Sequence, residues 1–130
     1  MGPKILIVDD DKDFLEVLAT KFTASGFNVV TADNGEEAIT KAKTEIPDII
    51  LSDVKMPKMD GVQALLKLKE DPKTAHIRVV LLTAFGDPQQ EIYSNDKRFA
   101  QELGAFEYLL KSQDLDTIVS RVQASLAKGT

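Results

Sequence analysis

The chain contains no cysteine and a single histidine. Without cysteine there can be no disulfide, and no zinc or iron–sulfur site built on thiolates. That composition suits a reducing compartment. The lone histidine, His76, precedes an apolar run and reads as a surface residue. No apolar run approaches the roughly 18 residues a membrane span needs. The first one, Ile5–Val8, is too short for a signal segment and runs into Asp9, Asp10 and Asp11. A cytoplasmic location is therefore expected. Positive charge is also in short supply: 16 Lys and Arg stand against 21 Asp and Glu, for a net charge of −5. Clustered cations are what nucleic-acid backbones and anionic membranes require, so neither is an expected partner. There is no internal repeat, linker or low-complexity segment.

What is present fits one domain of 130 residues with its core over about 4–128. Four apolar runs stand out, Ile5–Val8, Ile49–Leu51, Val79–Leu82 and Tyr108–Leu110, with a weaker fifth at Phe27–Thr31. They are near-continuous rather than alternating, as in strands buried on both faces of a parallel sheet. Helical patterns lie between them. Asp11 caps a helix carrying Phe14, Val17, Leu18 and Phe22 on one side and stopping at Gly26. Asn34 caps a second, with Glu36 and Glu37 in its first turn. A third runs from Gly61 to about Glu70 with Val62, Leu65 and Leu66 at helical spacing and Pro72 beyond its end. In the last, Leu115, Ile118, Val119, Val122 and Leu126 form a stripe. The stretch Phe85–Leu103 reads as a loop plus one helix. Five alternations of strand and helix predict an α/β, doubly wound (βα)5 flavodoxin-like fold, with a parallel five-stranded sheet in order 2-1-3-4-5.

In such a sheet, functional groups gather at the C-terminal ends of the strands, where the strand order reverses. Asp9 and Asp10 directly follow the first strand, and Asp53 directly follows the third. Three carboxylates brought together repel, and a hard divalent cation relieves the conflict. Mg²⁺ is typically held by one or two carboxylates plus phosphate oxygens; Mn²⁺ is a candidate substitute. Thr83 and Lys111 end their own strands on the same rim. A hydroxyl and a cation facing an acidic, metal-bearing pocket suit phosphoryl transfer, whose catalysis is mainly positioning and charge neutralisation. An aspartate can be the nucleophile, forming an acyl phosphate.

These residues resemble the receiver domain of bacterial two-component response regulators. The likeness rests on Ile5–Asp11, Leu51–Gly61, Leu82-Thr83-Ala84 and Gly104-Ala105 through Tyr108–Lys111, and covers nearly the whole chain. It implies that Asp53 is the phospho-acceptor. Asp10 would bind Mg²⁺ directly, and Asp9 directly or through water. The backbone carbonyl of Lys55 would add a further ligand. Thr83 and the backbone N–H of Ala84 would bond the phosphoryl group, and Lys111 would pair with it. Tyr108 would be an aromatic switch coupled to Thr83. The donor would be a sensor histidine kinase or a histidine phosphotransfer protein. The output surface would be the face formed by the fourth helix, the fifth strand and the last helix, with a downstream protein or a second copy of the chain as its partner. Such a domain is a signalling module with intrinsic autophosphorylation and autodephosphorylation chemistry rather than a turnover enzyme.

Two features depart from the family pattern. The residue after Lys111 is Ser112, where the family usually has proline after a cis peptide. A cis bond before a non-proline costs about 3–4 kcal/mol, so a trans Lys111–Ser112 bond is expected. The 28 positions from Thr83 to Lys111 also exceed the family's usual spacing, and the excess falls in Phe85–Leu103. That stretch either shapes a partner surface or is a tolerated insertion. Two other functions compete: a phosphorylation-independent receiver acting as a binding module, and a metal-dependent phosphatase on a similar scaffold. The intact acidic set argues against the first. The second would need a cap domain, for which 130 residues leave no room.

Overall fold

A computed structural model describes residues 2–83 and 104–128. Five strands, β1 (Lys4–Val8), β2 (Asn28–Ala32), β3 (Ile49–Asp53), β4 (Arg78–Thr83) and β5 (Glu107–Leu110), form one parallel sheet in the order β2-β1-β3-β4-β5. Four helices occur among the described residues: α1 (Lys12–Ala24), α2 (Gly35–Glu45), α3 (Gly61–Glu70) and α4 (Leu115–Ala127). The helix expected within Phe85–Leu103 and the backbone of Ala84 lie outside the described residues.

Each helix starts where a short polar side chain takes up its orphan N–H groups. Asp11 accepts from the backbone of Asp13 and Phe14, at 3.1 and 3.2 Å. Asn34 accepts from Glu37 at 2.8 Å, and Asp114 from Thr117 at 2.7 Å. Asp60 and Gln63 form a reciprocal capping box. Helix α1 ends at Ala24, and just beyond it Gly26, with a φ of 96°, lets Phe27 turn back to bond the Phe22 carbonyl at 3.0 Å.

Side chains alternate across the sheet and build a core on each face. One joins Leu6, Val8, Ile50, Val79, Leu81 and Tyr108 to Ala38, Ala42, Leu65 and Leu68 from α2 and α3. The other joins Ile5, Ile7, Ile49, Leu51, Val80, Leu82 and Leu109 to Leu18 and Phe22 of α1 and to Ile118, Val119 and Val122 of α4. Two positions depart from the helical reading. Val17 is 45% exposed and Leu66 is 39% exposed. On α1 the partly buried neighbours of the core are instead Phe14 and Leu15. On α3, Ala64 and Leu68 complete the buried stripe. Asp53 is the last residue of β3 rather than the first after it. No cis peptide occurs among the described residues, so Lys111–Ser112 is trans, as a non-proline bond should be. His76 is exposed, as expected.

Candidate functional site

Sheet register brings the acidic residues together. Val8 pairs with Ser52, so the residues that follow them, Asp9 and Asp53, stand side by side at the strand ends. Alternation then sets the side they share. Asp9 follows Ile7 by two positions, Asp53 follows Leu51, and Lys111 follows Leu109, and all three predecessors belong to the core on the α1/α4 face. Strand β5 lies two strands from β3, about 10 Å away at ordinary strand spacing. A lysine's long stem covers that gap.

Asp9 is fully buried and Asp53 is 4% exposed, while Asp10 is open to solvent. One carboxylate oxygen from each of the three lies within 4.8 Å of the others. The Lys111 ammonium sits 2.7 Å from Asp9 Oδ2 and 3.3 Å from Asp53 Oδ2. Its other neighbour is aromatic: the nitrogen lies 4.9 Å from the centre of the Phe14 ring. Asp9 Oδ1 accepts from the Asp11 backbone at 2.9 Å. Asp53 Oδ1 is buried and has no hydrogen-bond partner among the described residues.

That arrangement perturbs the ionisations. Burial first, and then the Asp9 charge, push the Asp53 carboxyl up to about 6, against the partial relief Lys111 provides. Burial pulls the Lys111 ammonium down. The bond to Asp9 and the charges of Asp53 and Asp9 outweigh it, holding the group above its usual range. An acidic pocket with two negative neighbours, one cation and one orphaned oxygen fits a small divalent metal. Asp9, Asp10 and Asp53 are the side chains that would hold it.

The loops around the pocket are tied to the sheet. The Lys111 N–H donates to the Thr83 carbonyl at 2.7 Å. Gln113 brackets the turn after β5: its backbone N–H donates to the Leu110 carbonyl at 3.1 Å, and its side-chain oxygen accepts from the Leu110 N–H at 3.2 Å. After β3, the Gly61 N–H donates to the Val54 carbonyl at 2.7 Å. A Cβ on Gly61 would stand 2.2 Å from the Asp53 carbonyl oxygen. Glycine is therefore required for close approach of the α3 start to the end of β3, not for an unusual φ in a turn.

Thr83 ends β4 and is partly exposed. Lys55 lies two residues beyond Asp53 and is itself exposed, between partly buried Val54 and buried Met56. Tyr108 is buried in the core on the α2/α3 face, the opposite side of the sheet from the Leu109 parity that leads to Lys111. Phe14 and Gln113 were not read as site residues from the sequence. The signal for Phe14 was its place one helical turn after Asp10; Gln113 carried none, because its role depends on the path of the β5–α4 turn.

A five-stranded 2-1-3-4-5 sheet with an acidic pocket at the β1/β3 rim defines a receiver-type α/β domain. The chain belongs to the response regulator receiver domain family, which it matches over residues 5–123. It is 40% identical over 124 residues to the response regulator PleD of Caulobacter vibrioides, covering 95% of this chain and 26% of that protein. It is 37% identical over 128 residues to the alkaline phosphatase synthesis transcriptional regulatory protein PhoP of Bacillus subtilis, covering 98% of this chain and 50% of that one. A candidate response regulator from Chloroflexus aurantiacus has a similar structure, with a TM-score of 0.86 at 32% identity, covering 98% of this chain and all of the other. The chain thus spans between a quarter and a half of the length of these curated relatives. Among the described residues no helix is long and apolar enough to cross a membrane.

Proposed function

We propose that this receiver domain accepts a phosphoryl group on Asp53 from the phosphohistidine of a sensor kinase or phosphotransfer protein. The observation that carries the reading is the convergence of Asp9, Asp10 and Asp53 within 4.8 Å, with a buried and unpartnered oxygen on Asp53. That oxygen has a lone pair that no hydrogen bond engages among the described residues, as a nucleophile needs. In the transfer, an Asp53 carboxylate oxygen attacks phosphorus and a P–O bond forms. The P–N bond to the donor imidazole breaks, and its electron pair stays on the imidazole nitrogen.

Lys111 already lies 3.3 Å from Asp53 and is the cation that would neutralise a phosphoryl oxygen. The Thr83 hydroxyl and the Ala84 N–H would bond the remaining oxygens. Asp9, Asp10, Asp53 and the Lys55 carbonyl would hold Mg²⁺, with Mn²⁺ as a substitute. When bound, the ion supplies charge neutralisation for the carboxylates and the phosphoryl oxygens. Buried Tyr108 and Thr83 would shift together, changing the affinity of the face formed by the helix expected within Phe85–Leu103, β5 and α4 for a downstream protein or a second copy of the chain. The cytoplasm is the compartment this chemistry implies.

The test is incubation with a small phosphodonor and Mg²⁺, followed by intact mass. An acyl phosphate that forms in the wild type and is missing in Asp53→Asn is the expected result. No adduct would point to a binding module, and sustained phosphate release to a phosphatase.

A further inference from the structure

We infer that Phe14 is a positioning residue for Lys111, its ring face holding the ammonium over the Asp9–Asp53 pair. The inference rests on the reading of Asp53 as acceptor and extends it to a residue with no part in that chemistry.

Lys111 needs such a partner in this chain. It lies one residue beyond an edge strand, and Ser112 follows where a proline would have stiffened the turn. The hydrogen bond from its backbone to Thr83 and the Gln113 bracket fix the chain near Lys111, not the ammonium at the end of a flexible stem. The ammonium has three N–H groups. Asp9 lies 2.7 Å and Asp53 3.3 Å from it, and the Phe14 ring, 4.9 Å away, offers a face with negative potential. That separation is within the range of cation–π attraction, which strengthens as water is excluded. The Lys111 side chain is only 17% exposed.

The ring is the rigid member of the pair. Phe14 packs against the core that α1 shares with the sheet. Its helix starts at Asp11, immediately after the acidic pair, and the Asp11 side chain accepts from the Phe14 N–H itself. One short segment therefore sets both Asp9, the nearer of the two carboxylates that attract Lys111, and the ring that limits where it can go. A leucine of similar bulk would fill the space without the attraction.

The deciding experiment replaces Phe14 with phenylalanines bearing one, three and five ring fluorines, which weaken the ring's hold on a cation while nearly keeping its shape, alongside Phe14→Leu and Phe14→Tyr. Two quantities are read. One is the ¹⁵N–¹H signal of the Lys111 ammonium in metal-free protein. The other is the initial rate of Asp53 phosphorylation with acetyl phosphate and Mg²⁺. The expected result is a graded change in both along the fluorine series, with a rate loss of about 3- to 10-fold in Phe14→Leu and near-wild-type behaviour in Phe14→Tyr. Rates and signals that stay flat across the fluorine series overturn the inference, even if Phe14→Leu is slow, because only shape would then matter. If the wild type takes up no phosphate, the acceptor reading fails and the rate effect falls with it. The Lys111 signal still reports separately whether the ring holds the ammonium.

Discussion

Asp53 is a buried carboxyl whose ionisation its surroundings perturb. Its carboxyl is raised from 3.8 to about 6, so the folded chain holds that proton more tightly than the unfolded chain does. The sign follows from linkage: between about pH 4 and pH 6 folding takes up a proton, stability falls as pH rises through that window, and the deficit is complete above it. Asn at position 53 carries no such charge. In metal-free buffer, urea unfolding should show Asp53→Asn close to wild type near pH 4. It should be more stable by about 3 kcal/mol at pH 8, since each pKa unit is worth about 1.4 kcal/mol. A difference that does not grow with pH would mean that Asp53 is not strained by its neighbours. Its sequence position marked Asp53 as the acceptor candidate, but not this strain, which comes from burial and from Asp9, 44 positions away.

Among the elements, the start of α3 is the least tolerant of change. Gly61→Ala would place a methyl 2.2 Å from the Asp53 carbonyl oxygen, with backbone on the other side of the contact. The helix or the end of β3 must move, and a loss of about 3 kcal/mol or more is expected in denaturant unfolding. Asp60→Ala, one residue earlier, removes only a cap and should cost about 1 kcal/mol. If the two variants proved equally mild, the close approach would not be as tight as it is described. Two caps, Asp11 and Asn34, were legible in the sequence because they depend on neighbours in the chain; Asp60 and Asp114 were not read as caps. Exposure was less legible. Val17 and Leu66 sit at helical spacing yet face outward, because the width of a helix's buried stripe depends on what packs against it.

For the whole molecule, metal and fold should be linked. A ligand that binds only the folded chain stabilises it by an amount set by its concentration relative to Kd, about 2.7 kcal/mol at a hundredfold excess. Mg²⁺ should therefore raise the unfolding midpoint of the wild type, and a chelator should reverse the rise. Asp10→Asn should lose most of the response while unfolding normally without metal, because Asp10 is exposed and belongs to neither core. A full Mg²⁺ response in Asp10→Asn would remove that residue from the ligand set.

The sequence by itself determined the order of the described elements and the acidic rim, because periodicity, capping residues and strand-end positions are written along the chain. It also determined that Lys111 meets Ser112 through a trans bond, since cis is costly without proline. Only the tertiary structure decided which groups share a space. The pairing of Val8 with Ser52 sets Asp9 against Asp53. Alternation turns Lys111 toward them and Tyr108 away, and the packing of α1 lays Phe14 beside the ammonium. These are contacts between residues tens of positions apart, and their distances depend on how sheet and helices close together, which no local pattern records.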